Sequence, residues 1–166
     1  AITAMITAAR GNVPILMSAG RTPIMEEGML GARNLHIHWA QESFDQAGML
    51  REWVKWDYEL RNSLQVENVV DRAFELMLSD PPGPVYLTLP REVLATRPPA
   101  TVIASPARRQ VRSELYPDPA RIEEAARLLA GARFPLVLTS ALGRDPRAVA
   151  GLVELAERMF AMPSSM

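Results

Sequence analysis

Between Ser63 and Ser79 the chain reads SLQVENVVDRAFELMLS, and no other stretch narrows its possible folds as much. Leu64, Val66, Val69, Val70, Ala73, Phe74, Met77 and Leu78 recur at helical spacing, while Glu67, Asn68, Asp71, Arg72 and Glu75 take the other face. The run predicts an amphipathic helix. Asp80-Pro81-Pro82-Gly83-Pro84 stops it, because proline offers no N–H and clashes with the preceding turn. VYLTLP follows, β-branched and aromatic as strands are, and the alternating VKWDYEL lies ahead of the helix. Strand, helix and strand with short connections predict a parallel α/β sheet with flanking helices.

The flanking segments extend this pattern. Ile2, Met5, Ile6 and Ala9 are spaced for a helix over residues 1–10, and Arg10-Gly11-Asn12 supplies its stop, with Gly11 at the C′ position. VPILMSAG is a continuous apolar run closed by Gly20, as expected of a strand covered on both faces. Residues 20–35 hold Gly20, Pro23, Gly28 and Gly31 and read as an irregular loop with room for one helical turn. SFDQAGMLREW reads as a short helix, with Ser43 as cap and Gln46 completing a Ser-x-x-Gln box. Beyond Leu94 a Pro, Ala and Arg-rich tract lacks periodicity and reads as a linker over 96–116. A second unit, 117–166, opens with Asp118 capping a helix that has Pro119 first. FPLVLTSAL reads as a strand after it, GRDP as a turn, and RAVAGLVELAERMFA as a further helix. One strand and two helices bury too little apolar surface to offset their ordering entropy, and helical spacing begins at Ala1 with no cap ahead of it. The chain therefore reads as the interior of a longer protein.

Composition removes several functions. Eighteen basic residues face nineteen acidic ones with no block of like charge, so a nucleic-acid or membrane-surface role has no electrostatic footprint. Cysteine is absent, which rules out disulfides and thiolate metal sites and makes a reducing, cytoplasmic location the default expectation. No apolar stretch reaches the length of a membrane span.

Chemical motifs are sparse. His36 and His38, two apart, would share a face if extended, but a zinc site needs a third ligand, with Glu42 or Asp45 nearest; no metal site is assigned. LMSAGRT lacks a nucleophile elbow. SALGRDPRAV has one glycine where a dinucleotide fingerprint has three, and reads as a plain turn into a helix. No catalytic dyad follows from spacing. Trp39, Trp53 and Trp56, with Phe44 and Tyr58, form either an aromatic cluster under a loop or a subunit interface or cleft wall, where amphipathic rings and arginine concentrate.

Taken in order, AITAMITAARGNVPILMSAG, AQESFDQAG, REWVKW and SDPPGPVYLTLPREVL resemble the pyrimidine-binding domain of thiamine-diphosphate-dependent enzymes of the acetolactate synthase and pyruvate decarboxylase type. ARLLAGARFPLVLTSALGRDPRAVAGLVELAERM is similar to the opening of their Rossmann-like central domain. The likeness covers nearly the whole chain, and Pro-Gly-Pro-Val…Leu-Pro-x-Glu-Val is its most specific part.

The resemblance implies that residues 1–95 are the second half of the pyrimidine-binding domain and 117–166 the start of the central one. It implies thiamine diphosphate and Mg²⁺ in the full-length enzyme, FAD in some members, and a 2-keto acid substrate. It also implies a homodimer or homotetramer with its active site between subunits. The family's catalytic glutamate and its diphosphate and Mg²⁺ motif are not found in these residues, so no catalytic residue is assigned and the chain is expected to be inactive alone. Gln41 matches the family's active-site glutamine and is the expected cofactor contact. Glu42 follows it, Lys55 matches a lysine near the channel, and Arg21 stands where a glutamine is usual; these three are expected at the substrate pocket or channel. Ala40 replaces the family's phenylalanine, which alters the pocket. The alternative from another class is a non-catalytic α/β protein with a nucleotide-binding or scaffolding role.

Overall fold

The computed structural model describes residues 2–97 and 116–161. The chain falls into two compact units, Ala1–Glu114 and Leu115–Met166.

In the first unit, α1 (Ile2–Arg10) leads to β1 (Leu16–Arg21), the short α2 (Ile37–Ala40), β2 (Trp56–Glu59), α3 (Val66–Leu78), β3 (Val85–Pro90) and α4 (Arg91–Ala95). The strands form one parallel sheet in the order β1-β3-β2, with Leu16 and Trp56 both in register with Val85. The amphipathic pattern of α3 sets the core: Val69, Ala73 and Met77 bury against Leu60, Val85 and Leu87. Side chains alternate along a strand, so Tyr86 faces the opposite way and packs with Met5, Ala47 and Leu50. Strand β3, central and buried almost throughout, separates two apolar layers.

Several local expectations change. The left-handed residue that ends α1 is Asn12 (φ 49°), not Gly11. Val13 N–H reaches Ala8 O at 2.8 Å and Asn12 N–H reaches Ala9 O at 3.1 Å, the paired closure that satisfies the last helical carbonyls. Strand β1 lies at a sheet edge among the described residues and exposes Ser18 and Gly20, so it is not covered on both faces. The expected helix over 43–53 forms as two 3-10 turns, 47–49 and 51–53. No capping box forms, because the Gln46 amide donates instead to Gly20 O (3.1 Å) and Tyr86 Oη (2.9 Å). The loop over 22–36 has no helix. Lys55 ties the turn after α3, donating to Ser79 O, Ser79 Oγ and Pro81 O at 2.7–2.8 Å.

In the second unit Asp118 caps α5 (Pro119–Gly131) by accepting from Ala120 N–H at 2.9 Å. Asp145 accepts from Arg147 N–H at 2.9 Å where α6 (Pro146–Ala161) begins. The strand expected over 134–142 does not form: residues 135–139 carry no assigned structure, and Phe134, Leu136 and Leu138 are largely exposed. A strand exists only against a hydrogen-bonded neighbour, and the described residues of this unit supply none. The expected linker lies outside the described residues except at its ends.

Candidate functional site: a charged cleft at the carboxyl ends of the strands

Parallel strands in an open α/β sheet deliver their carboxyl ends to one edge, where crevices form. Here that edge holds a cleft of about 320 Å³, lined by Arg21 at the end of β1, Asp57 and Glu59 on β2, Thr88 on β3, and Gln46 and Arg61 beside them.

A chain of alternating charges braces it. The Arg33 guanidinium, 4% exposed, donates to Glu42 Oε2; Arg21 Nη2 donates to Glu42 Oε1 at 3.3 Å; and Arg21 Nη1 donates to Glu59 Oε2. Arg33 also donates from Nε to Pro23 O at 3.0 Å, which folds the 22–36 loop onto it. The hydrogen bond from Arg33 holds the Glu42 carboxyl below its usual range, against the opposing effect of burial, with the Arg33 and Arg21 charges adding to the lowering. Glu42 is therefore a fixed anion at neutral pH. Across the cleft Arg51 joins Asp45 (2.7 Å) and Asp57 (3.1 Å); its hydrogen bond lowers the Asp45 pKa, and the two carboxylates raise its own.

Four buried side-chain atoms have no hydrogen-bond partner among the described residues: Arg21 Nε, Thr22 Oγ1, Thr88 Oγ1 and Glu92 Oε2. All belong to residues at or just beyond the carboxyl ends of β1 and β3. Unused polar capacity in a buried setting is rare, and here it gathers at one edge of the sheet.

A scan of protein-family models finds none that matches the chain. The chain is 28% identical over 164 residues to acetolactate synthase of Arthrospira platensis, covering 98% of this chain and 27% of that protein. It is 27% identical over 165 residues to sulfoacetaldehyde acetyltransferase of Rhodobacter capsulatus, covering 96% of this chain and 25% of that one. Among solved structures, an enzyme of Mycobacterium smegmatis described as thiamin diphosphate-dependent matches with a TM-score of 0.71 at 26% identity, over 95% of this chain and 28% of its own. This chain is similar in sequence to acetolactate synthase and in fold to thiamin diphosphate-dependent enzymes. Benzoylformate decarboxylase of Polynucleobacter necessarius matches at a TM-score of 0.63 and 26% identity, over 81% of this chain and 23% of its own. The chain spans about a quarter of the length of the curated relatives it matches.

Within this acetolactate synthase-like segment, the four residues singled out from sequence divide. Arg21 and Glu42 meet at the cleft edge. Gln41, adjoining Glu42, is the exposed cap of α2, and its side chain makes no hydrogen bond among the described residues. Lys55 lies at the other end of β2, where burial lowers its pKa and it ties a turn. His36 and His38 fall at the start of α2 rather than on a strand, and His38 sits beside Arg91 (3.0 Å). No group of three metal-ligating side chains exists among the described residues.

The aromatic cluster is not formed among the described residues. Only Trp56 and Tyr58 stack, at 5.4 Å. Each tryptophan instead lies under its own arginine: Trp39 under Arg33 (5.5 Å), Trp53 under Arg10 (5.6 Å), Trp56 under Arg72 (5.7 Å).

Sequence reasoning missed Arg33, Arg61 and Glu92. Glu92, 2% exposed, accepts from Met25 N–H at 2.6 Å and pins the 22–36 loop. Its place in Leu-Pro-x-Glu-Val was the available signal.

Proposed function

We propose that this segment forms one wall of the cofactor and substrate cleft of a thiamine-diphosphate-dependent carboligase or decarboxylase acting on a 2-keto acid. The observation that carries the reading is the polar cleft at the carboxyl ends of the strands, in a fold that matches a thiamin diphosphate-dependent enzyme along 95% of this chain. Arg21 Nε and Thr22 Oγ1, a donor and a hydroxyl without partners at this edge, suit a polar heteroaromatic ring such as the cofactor's aminopyrimidine. Gln41 would contact that ring through its amide, and the Arg33–Glu42–Arg21–Glu59 chain would hold the neighbouring turn in place. When bound, thiamine diphosphate supplies the electron sink for cleavage or formation of the bond next to the keto carbon. Glu42, kept ionised by two arginines, orients rather than transfers protons.

The same reading assigns Mg²⁺ to the cofactor's diphosphate and FAD, where present, to the central domain; no residue of this chain is assigned to either. It includes a homodimeric or homotetrameric assembly. Phe44, which lines the cleft, is 93% exposed and Leu30 75%, and Trp39 and Met49 are exposed as well, the kind of apolar surface a partner subunit would cover. Among the described residues no helix is long and apolar enough to cross a membrane.

The test is an assay of the full-length protein carrying this segment for acetolactate or aldehyde formation from pyruvate, with and without thiamine diphosphate and Mg²⁺. Cofactor-dependent turnover is expected from the full-length protein and none from residues 1–166 alone. Cofactor-independent behaviour of the full-length protein would overturn the reading.

A further inference from the structure

Alternation places Asp57, Glu59 and Arg61 along one side of β2 and its extension, and all three line the cleft. The two carboxylates already have guanidinium partners, Asp57 in Arg51 and Glu59 in Arg21. Arg61 completes the row and has no carboxylate partner among the described residues. Its chain neighbours fix it near Thr88 along the strand pair: Leu60 N–H donates to Thr88 O at 2.9 Å, and Glu59, two residues before Arg61, is in register with Thr88. Thr88 is 1% exposed, and its hydroxyl is one of the four buried polar atoms without a partner. A cleft of about 320 Å³ thus has in its lining, among the described residues, a guanidinium with no carboxylate partner and a hydroxyl with no hydrogen-bond partner.

We propose that Arg61 and Thr88 form the recognition site for the carboxylate of a small organic acid lodged in this cleft. The guanidinium fork accommodates both oxygens of a planar carboxylate, and the hydroxyl adds a further donor. The charge balance of the lining favours a monoanion: Arg21, Arg51 and Arg61 face Asp45, Asp57 and Glu59, so a phosphate dianion would meet three carboxylates with only one uncommitted cation. This deepens the proposed function, which supplies the expectation that the acid is a 2-keto acid. The site itself is argued from Arg61 and Thr88 alone.

The experiment is calorimetric titration of pyruvate into the full-length protein without thiamine diphosphate, for the wild type, Arg61→Ala, Arg61→Lys and Thr88→Val, with inorganic phosphate as the second probe. Arg61→Ala is expected to weaken pyruvate binding about tenfold or more, Arg61→Lys to recover part of that loss, and Thr88→Val to weaken it several-fold. Circular-dichroism melts confirm that each variant is folded, and Arg61, being exposed, is not needed for the core. Wild-type and Arg61→Ala affinities within twofold of each other, no pyruvate binding by the wild type, or tighter binding of phosphate than of pyruvate would each overturn the proposal. Pyruvate binding through Arg61 in a protein whose turnover ignores thiamine diphosphate would uphold this site and bring down the proposed function instead.

Discussion

Arg21, at the last position of β1, donates from Nη2 to Glu42 Oε1 at 3.3 Å and from Nη1 to Glu59 on β2, so one guanidinium joins the sheet edge to the turn that follows α2. Arg33 holds the other oxygen of Glu42. Removing one partner of such a set leaves a partly buried charge unanswered, which is more disruptive than removing the pair. Arg21→Gln and Glu42→Gln are therefore each expected to lower the unfolding midpoint. The double variant should lose less than the sum, and additive losses in urea melts would show that the contact is not energetically coupled.

Acid should reveal the same carboxylate. The folded-state pKa of Glu42 lies below its usual 4.5, mainly through the Arg33 hydrogen bond. Its stabilising contribution is present in full above the unfolded value and is lost as pH falls through the lowered folded one. Arg33→Met should be less stable than wild type at neutral pH but should lose less stability below about pH 4.5, because the shift that creates the dependence shrinks. Urea melts over a pH series measure both effects, and parallel curves would contradict the assignment.

Gly31 has φ +88°, and a Cβ there would stand 3.1 Å from Ala95 Cβ and 3.2 Å from Arg91 O. Gly31→Ala should cost about 1–3 kcal/mol, since both the backbone angle and the close approach to α4 resist a side chain. Gly28, also at positive φ but with nothing within 4 Å, should suffer only the backbone penalty, so the difference between the two variants isolates the packing against α4.

Leu87, 4% exposed in the central strand, belongs to the core beneath α3. Leu87→Ala should cost about 2–5 kcal/mol in chemical denaturation, from lost transfer energy and the cavity left behind.

Lys55 is the only lysine in the chain, and it holds the start of β2 to the turn after α3 through three oxygen acceptors. Lys55→Met should cost about 1 kcal/mol in urea melts, while leaving pyruvate binding unchanged, because the lysine lies at the far end of the strand from Arg61. A large loss of binding would move Lys55 back to the channel that the family resemblance suggests.

Periodicity made the scaffold readable. The spacing from Leu64 to Leu78 and the break at Asp80–Pro84 anticipated α3 and its end, and VYLTLP anticipated β3, because helix and strand each impress a fixed repeat on the residues they bury. Asp118 before Pro119 likewise marked the start of α5, since capping is a contact between near neighbours. The strand expected at 134–142 failed because apolar content alone cannot create a hydrogen-bonded neighbour. Gln46 left its expected local cap because Gly20 O and Tyr86 Oη, both distant in sequence, accept its amide.

The sequence by itself determined the order of helices and strands, the breaks between them and the resemblance to the acetolactate synthase type, all encoded in local spacing and adjacent motifs. Only the tertiary structure decided which arginine answers which carboxylate. Arg33, Glu42, Arg21 and Glu59 become neighbours through parallel pairing and a folded loop, and charge carries no periodic mark of its eventual partner. Among the described residues the same folding left Arg61 without a carboxylate partner, because a guanidinium is free or engaged only by virtue of what the chain brings next to it.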